Sequence, residues 1–140
     1  MRNDYKIILD IIPNGSKVLD IGCSSGELLS LLNKKDDVHT QGVEINQEEV
    51  VKCLEDGLDV VQGDINQILE DFPHNQFDYC ILTQTIQTVN APDKLLNLLK
   101  KVGKNIIISF DNSNYYKKVF NFSVRGSFDN LLEKSEGDQW

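Results

Sequence analysis

The segment Val18-Leu-Asp-Ile-Gly-Cys-Ser-Ser-Gly26 constrains the fold more than any other in the chain. An apolar run ends beside an acid, a turn with two glycines follows, and Leu28, Leu29, Leu31 and Leu32 then crowd one side of a helical pattern from Gly26 to Lys35. Glycine at 22 permits close approach of the backbone to a ligand, and glycine at 26 permits the helix to pack near the strand. Strand, tight turn and helix in this order open a βαβ unit, whose strands are parallel.

The rest of the chain repeats the alternation. Strands are expected at Lys17 to Ile21, Val38 to Val43, Leu58 to Gln62, Phe77 to Leu82 and Asn105 to Phe110. They read as short apolar runs, as strands do when both faces of a sheet are covered. Asn46 suits a helix N-cap, with Glu49 completing a capping box and Gly57 as the stop. Pro92 fits the first position of a later helix that Gly103 would end. The expected fold is therefore α/β: a Rossmann-like, doubly wound, mostly parallel sheet in one domain. Its core spans about residues 15–110, and residues 111–140 form a helical or irregular tail. Trp140, with no chain after it, suggests a terminus that docks back or a chain that continues.

Composition narrows the function classes. The chain has 140 residues with 22 acidic and 14 basic, a net charge of −8. A general nucleic-acid binder needs a basic surface, so nucleic acid is an unpromising partner. Cys23, Cys53 and Cys80 form no CxxC pair, and His39 and His74 share no metal-ligand spacing with them, so reduced thiols and no metal site are expected. With no signal core and no apolar run near the ~20 residues that span a bilayer, a soluble cytoplasmic protein is expected.

Three acids carry the chemistry. Asp20 ends the first strand, Glu44 the second, and Asp64 follows the third in Gln62-Gly-Asp-Ile65. In a doubly wound sheet all three fall at the carboxyl ends of strands, where ligands bind. Asp20 would repel a pyrophosphate and attract an ammonium or sulfonium group. The loop also lacks the G-x-G-x-x-G spacing, which makes a nicotinamide-dependent oxidoreductase a distant third reading. Glu44 can accept from a ribose diol, at roughly 1.5–3 kcal/mol per charge-assisted bond. Asp64 can accept from an adenine amino group, with Ile45 and Ile65 as apolar walls. Competing structural roles stand beside these: a turn cap for Asp20, a solvated loop acid for Glu44, a turn residue for Asp64. Cys23 reads as a turn-filling residue rather than a nucleophile. Thr83, Gln84, Thr85 and Gln87 follow the fourth strand, as a polar loop cap or a rim beside the ligand, and none is a good general base.

This pattern resembles class I S-adenosylmethionine (SAM)-dependent methyltransferases. Asp20-x-Gly22-Cys23-x-x-Gly26, Glu44 and Gly63-Asp64 carry the likeness, over about residues 15 to 110. A narrower resemblance, to the MetW family of methionine biosynthesis, rests on Ile12-Pro-Asn-Gly-Ser-Lys-Val-Leu-Asp20, Gly42-Val-Glu-Ile45, Val60-Val-Gln-Gly-Asp64, Phe72-Pro, Phe77-Asp-Tyr, Ile81-Leu-Thr-Gln-Thr-Ile-Gln87 and Ser109-Phe110. It implies SAM as cofactor and S-adenosylhomocysteine as product. The implied cofactor residues are Asp20, Gly22, Cys23, Ser24, Gly26, Glu44, Ile45, Asp64, Ile65, Thr83 and Gln84. Methyl transfer to an unidentified acceptor is then expected, without assigned catalytic residues. The second reading it implies is a partner that binds and regulates homoserine O-acyltransferase. Ser24 and Ser25 depart from the Gly and Asp of the family loop, and Asp111 stands where Pro commonly follows. A Ser24 at positive φ would carry backbone strain. In this class a later antiparallel strand covers the fifth strand, so either the Tyr115 to Val124 stretch does so here or two chains pair as a homodimer along that edge.

Overall fold

The computed structural model describes residues 2–83, 92–112 and 116–123. Its elements are α1 (Asn3–Ile11), β1 (Lys17–Ile21), α2 (Glu27–Leu32), β2 (His39–Glu44), α3 (Gln47–Glu55), β3 (Val60–Gln62), α4 (Ile65–Ile68) with a following 3-10 turn, β4 (Phe77–Thr83), α5 (Pro92–Val102), β5 (Gly103–Asn112) and β6 (Tyr116–Ser123). The six strands lie in the order β3-β2-β1-β4-β5-β6. β1 to β5 are parallel, and β6 runs antiparallel to β5. The order reverses at β1, between its pairings with β2 and β4, which makes the carboxyl end of β1 the natural crevice of the sheet.

Alternation along the strands sorts their side chains onto two faces. Val18, Ile81, Ile107 and Val119 face α1 and α2, where Tyr5, Ile8, Ile12, Leu28 and Leu32 are buried against them. Leu19, Ile21, Cys80, Leu82, Ile106 and Ile108 face the other way, onto Leu95, Leu99 and Val102 of α5 and onto Leu69. Each fully buried aliphatic side chain of this kind contributes roughly 1.5–3 kcal/mol. A third cluster, Cys23, Leu29, Val50, Cys53, Leu58 and Val60, seals α2 and α3 against the β2–β3 side.

Several local expectations change. The tail expected to be helical or irregular contains β6, which pairs from Asn105↔Ser123 to Asn112↔Tyr116 and covers β5 within the chain. Trp140 and the rest of residues 124–140 lie outside the described residues. Gly103 does not stop α5 by a left-handed turn. It begins β5, and the close approach of Cys80 is what excludes a side chain, since a Cβ there would sit 2.6 Å from Cys80 Sγ. α1, unmarked by the strand–helix alternation, is a full helix whose Tyr5 and Ile8 are buried. Gly57 does end α3 as expected, at φ 76°.

Candidate functional site

The β1–α2 loop is built on alternating left-handed residues: Gly22 at φ 71°, Ser24 at φ 53° and Gly26 at φ 86°. Ser24 takes the positive φ that its side chain disfavours, at a cost of order 1–3 kcal/mol. The loop folds back toward β2, where the Gly22 and Cys23 N–H groups donate to the Val43 carbonyl at 2.8 and 3.1 Å. This approach needs bare backbone opposite, for a Cβ on Gly42 would lie 2.7 Å from Cys23 Sγ. At Gly26 a Cβ would lie 2.4 Å from Leu58 Cδ1.

Glu44 holds this loop. Its Oε1 accepts from the Ser24 N–H at 2.9 Å and its Oε2 from the Asn46 N–H at 2.8 Å. At 9% exposure it is not a solvated loop acid. A carboxylate has about four acceptor sites, so two bonds leave capacity for a diol. The same contact revises the capping box. Asn46 Oδ1 accepts from the Glu48 and Glu49 N–H groups at 2.9 and 3.2 Å, but the reciprocal arm onto Asn46 N–H comes from Glu44 rather than Glu49. The Glu44 carbonyl in turn accepts from the Gly63 N–H at 3.0 Å, which ties the Asp64 turn to the same edge.

Asp64 caps α4, its Oδ1 accepting from the Asn66 N–H at 2.9 Å, so its structural role is present. Ile45 stands 66% exposed on this edge, whereas Ile65 packs partly into the core beneath α5. Thr83 is the last residue of β4 and pairs with Ser109 of β5. Gln84, with Thr85 and Gln87, lies outside the described residues.

Asp20 is the outlier. It is 2% exposed, and among the described residues its Oδ1 has no hydrogen-bond partner, so it does not cap the turn. Burial pushes its carboxyl up to about 8, with Arg2 opposing the rise and Glu44 adding to it. A buried acceptor without a donor costs roughly 1–3 kcal/mol, more when charged. Cys23 is buried with its thiol pushed up, first by burial and then by Asp20, which fits a filler and not a nucleophile.

Sequence reasoning overlooked the far wall of the crevice. The Arg2 guanidinium forks onto Asp4, Nε to Oδ1 at 3.1 Å and Nη2 to Oδ2 at 2.7 Å, and lies over the Tyr5 ring. Asp4 is fully buried and accepts from Ser109 Oγ at 2.9 Å across 105 residues of sequence. A charged residue in the first turn of an otherwise apolar helix face is the only local signal of this arrangement. A groove of about 550 Å³ along α2 and α3, lined by residues such as Glu27, Leu31, Lys52 and Glu55, includes none of the three acids.

The sheet order, the glycine turn after β1 and the acids at successive strand ends define a class I SAM-dependent methyltransferase fold, and solved structures agree. A SAM-dependent methyltransferase from Archaeoglobus fulgidus superposes with a TM-score of 0.68 at 25% identity, covering 80% of this chain and 52% of that one. One from Aquifex aeolicus gives 0.66 at 24% identity, over 79% and 68%. Within that class the chain belongs to the MetW family: the family model described as methionine biosynthesis protein MetW matches residues 2–131. A bifunctional methionine biosynthesis protein MetXA/MetW from Rhodopirellula baltica is 40% identical over 120 residues, 80% of this chain and 19% of the relative. A carboxy-S-adenosyl-L-methionine synthase from Campylobacter concisus is 31% identical over 101 residues, 69% of this chain and 42% of the relative. The chain thus spans about a fifth of the first and less than half of the second.

Proposed function

We propose that this chain is a single SAM-binding domain that acts in methionine biosynthesis and transfers a methyl group from SAM to an acceptor not yet identified. The buried, unpartnered Oδ1 of Asp20 beside the left-handed loop carries this reading. It is an acceptor that lacks only a cationic donor, and the ammonium of the methionine portion supplies one. Gly22, Cys23, Ser24 and Gly26 would line that portion through backbone. Glu44 would take the ribose hydroxyls, and Asp64 with Ile45, Ile65, Thr83 and Gln84 would border the adenine and the sulfonium. When bound, SAM supplies an electrophilic methyl on a good leaving group. The chain's own task is alignment, where effective concentration carries much of the rate gain. The cytoplasm is its proposed place, supported by three unbridged cysteines. Among the described residues no helix is long and apolar enough to cross a membrane.

Calorimetry with S-adenosylhomocysteine tests this reading. The wild-type chain is expected to bind, and Glu44→Ala to lose at least about tenfold in affinity, one charge-assisted bond being worth roughly 1.5–3 kcal/mol. Glu44→Gln, which keeps one acceptor oxygen, should fall between them. No heat at millimolar ligand rejects the reading.

A second reading has its own support: a relative whose name joins MetXA and MetW in one chain. Here the domain binds homoserine O-acyltransferase and regulates it. Co-elution of the two proteins and a changed acyl-transfer rate are expected on mixing. Separate elution with an unchanged rate removes it.

A further inference from the structure

The turn that follows β3 is held from both sides. The Gly63 N–H donates to the Glu44 carbonyl at 3.0 Å, and the Asp64 carbonyl accepts from the Gln67 and Ile68 N–H groups at 3.0 and 2.9 Å. Ile65 and Ile68 pack against the core and seat the four-residue helix α4 on it. Asp64 and Asn66 are half-buried beside them.

Within this fixed frame the two oxygens of the Asp64 carboxylate are treated differently. Oδ1 accepts twice from Asn66, from its backbone N–H at 2.9 Å and from its side-chain Nδ2 at 3.3 Å. Both bonds fall on Oδ1 and neither on Oδ2. The backbone bond is an ordinary helix cap and does not need the second one.

The Asn66 amide keeps that second bond at a cost. With Nδ2 turned to the carboxylate, its own Oδ1 is buried and has no hydrogen-bond partner among the described residues. The opposite orientation would set the amide oxygen against a carboxylate oxygen, two acceptors with no proton between them. A buried acceptor without a donor destabilises the fold, so asparagine is a poor residue here for stability alone. Such a local violation is expected where a side chain serves a site rather than the packing.

We propose that Asn66 is a positioning residue for ligand recognition: its Nδ2 grips Oδ1 of Asp64, so that Oδ2 stands preset as an acceptor for an exocyclic amino group. Asn66 acts through Asp64, and it sets the preference for an aminopurine over an oxopurine. A carboxylate held in place attracts an N–H and repels a carbonyl oxygen, whereas a free one can swing away from the oxygen. This inference rests on the S-adenosyl reading for the identity of the ligand, but not for the bond between Asn66 and Asp64.

NMR of the side-chain amide in the ligand-free protein tests that bond directly. One Asn66 Nδ2 proton should carry a hydrogen-bond shift and lose it in Asp64→Ser, which keeps a helix cap but is too short to reach Nδ2. Calorimetry then compares S-adenosylhomocysteine with S-inosylhomocysteine, which has oxygen in place of the amino group. The wild type should favour the adenosyl ligand roughly 10- to 100-fold, the value of one bond to a charged acceptor. Asn66→Ala should narrow that preference by about threefold to tenfold, the cost of ordering one side chain on binding. Asn66→Asp, of the same shape but without the donor, should narrow it as far. The melting temperature of Asn66→Ala should stay level or rise, because the stranded Oδ1 goes with the amide. A merely structural role predicts the reverse, a lower melting temperature and an equal loss for both ligands. Equal binding of the two ligands by the wild type, an unchanged preference in the variants, or an amide proton that Asp64→Ser leaves unmoved overturns the proposal. If that proton shifts while the wild type binds neither ligand, the bond stands and the S-adenosyl reading falls, taking the purine assignment with it.

Discussion

At the scale of single residues, the site combines satisfied and unsatisfied acids. Glu44 and Asp64 each accept backbone N–H donors, so each has a structural task alongside any ligand. Asp20 Oδ1 has none. Its pKa is raised from 3.8 to about 8 in the folded chain, so the native state holds a proton that the unfolded state gives up. The associated stability is fully present below about pH 4 and is lost as pH rises through about 8. Asp20→Asn removes this dependence. Its melting temperature should overtake that of the wild type above pH 8, by roughly 3–5 °C for each kcal/mol of difference. Parallel melting curves from pH 5 to 9 would show instead that Asp20 is not strained. Asp20 was legible as a candidate for the site because an acid beside a glycine turn at a strand end is a local pattern. Its lack of a partner was not legible, because the groups around it come from distant parts of the chain: Gly42 of β2, Ile81 of β4 and Arg2 ahead of α1.

Among the elements, local propensity and tertiary contact divide the work unevenly. Asn46 and Gly57 bound α3 by rules that operate within a few residues, and the structure follows them. The capping box does not follow, since Glu44 already occupies the Asn46 N–H. Asn46→Ala should therefore cost about 1 kcal/mol in urea denaturation, while Glu49→Ala should stay within about 0.5 kcal/mol of wild type. Equal losses would restore the reciprocal box. β6 shows the opposite limit. Its mixed amphipathic sequence gives no clear period, and it becomes a strand because β5 offers an open ladder of N–H and C=O groups beside it. Gly103 similarly reads as a helix stop in isolation and proves to be a strand residue pressed against Cys80.

Across the whole molecule, the sheet order brings the ends of β1, β2 and β3 side by side, although Asp20 and Asp64 are far apart in sequence. The net charge of −8 suits a cationic ligand and disfavours a polyanionic one. A ligand held at the three strand ends, as proposed, should stabilise the fold as a unit. S-adenosylhomocysteine at about 100 times its Kd is expected to add about 2.7 kcal/mol of stability and to raise the melting temperature. The same concentration of NADH should leave it unchanged. A rise with NADH alone would revive the nicotinamide reading. With β6 laid along β5, pairing of two copies is not needed to cover that strand.

By itself the sequence determined the alternation of strands and helices, the glycine turn and the acids at three strand ends, since each is written in neighbouring residues by periodicity, backbone freedom and charge. Only the tertiary structure decided that Asp4 meets Ser109, that Glu44 ties two loops together, and that Asp20 is buried without a donor beneath α1. Those features depend on which elements become neighbours, and burial and hydrogen-bond completion are properties of the packed chain that no local stretch contains.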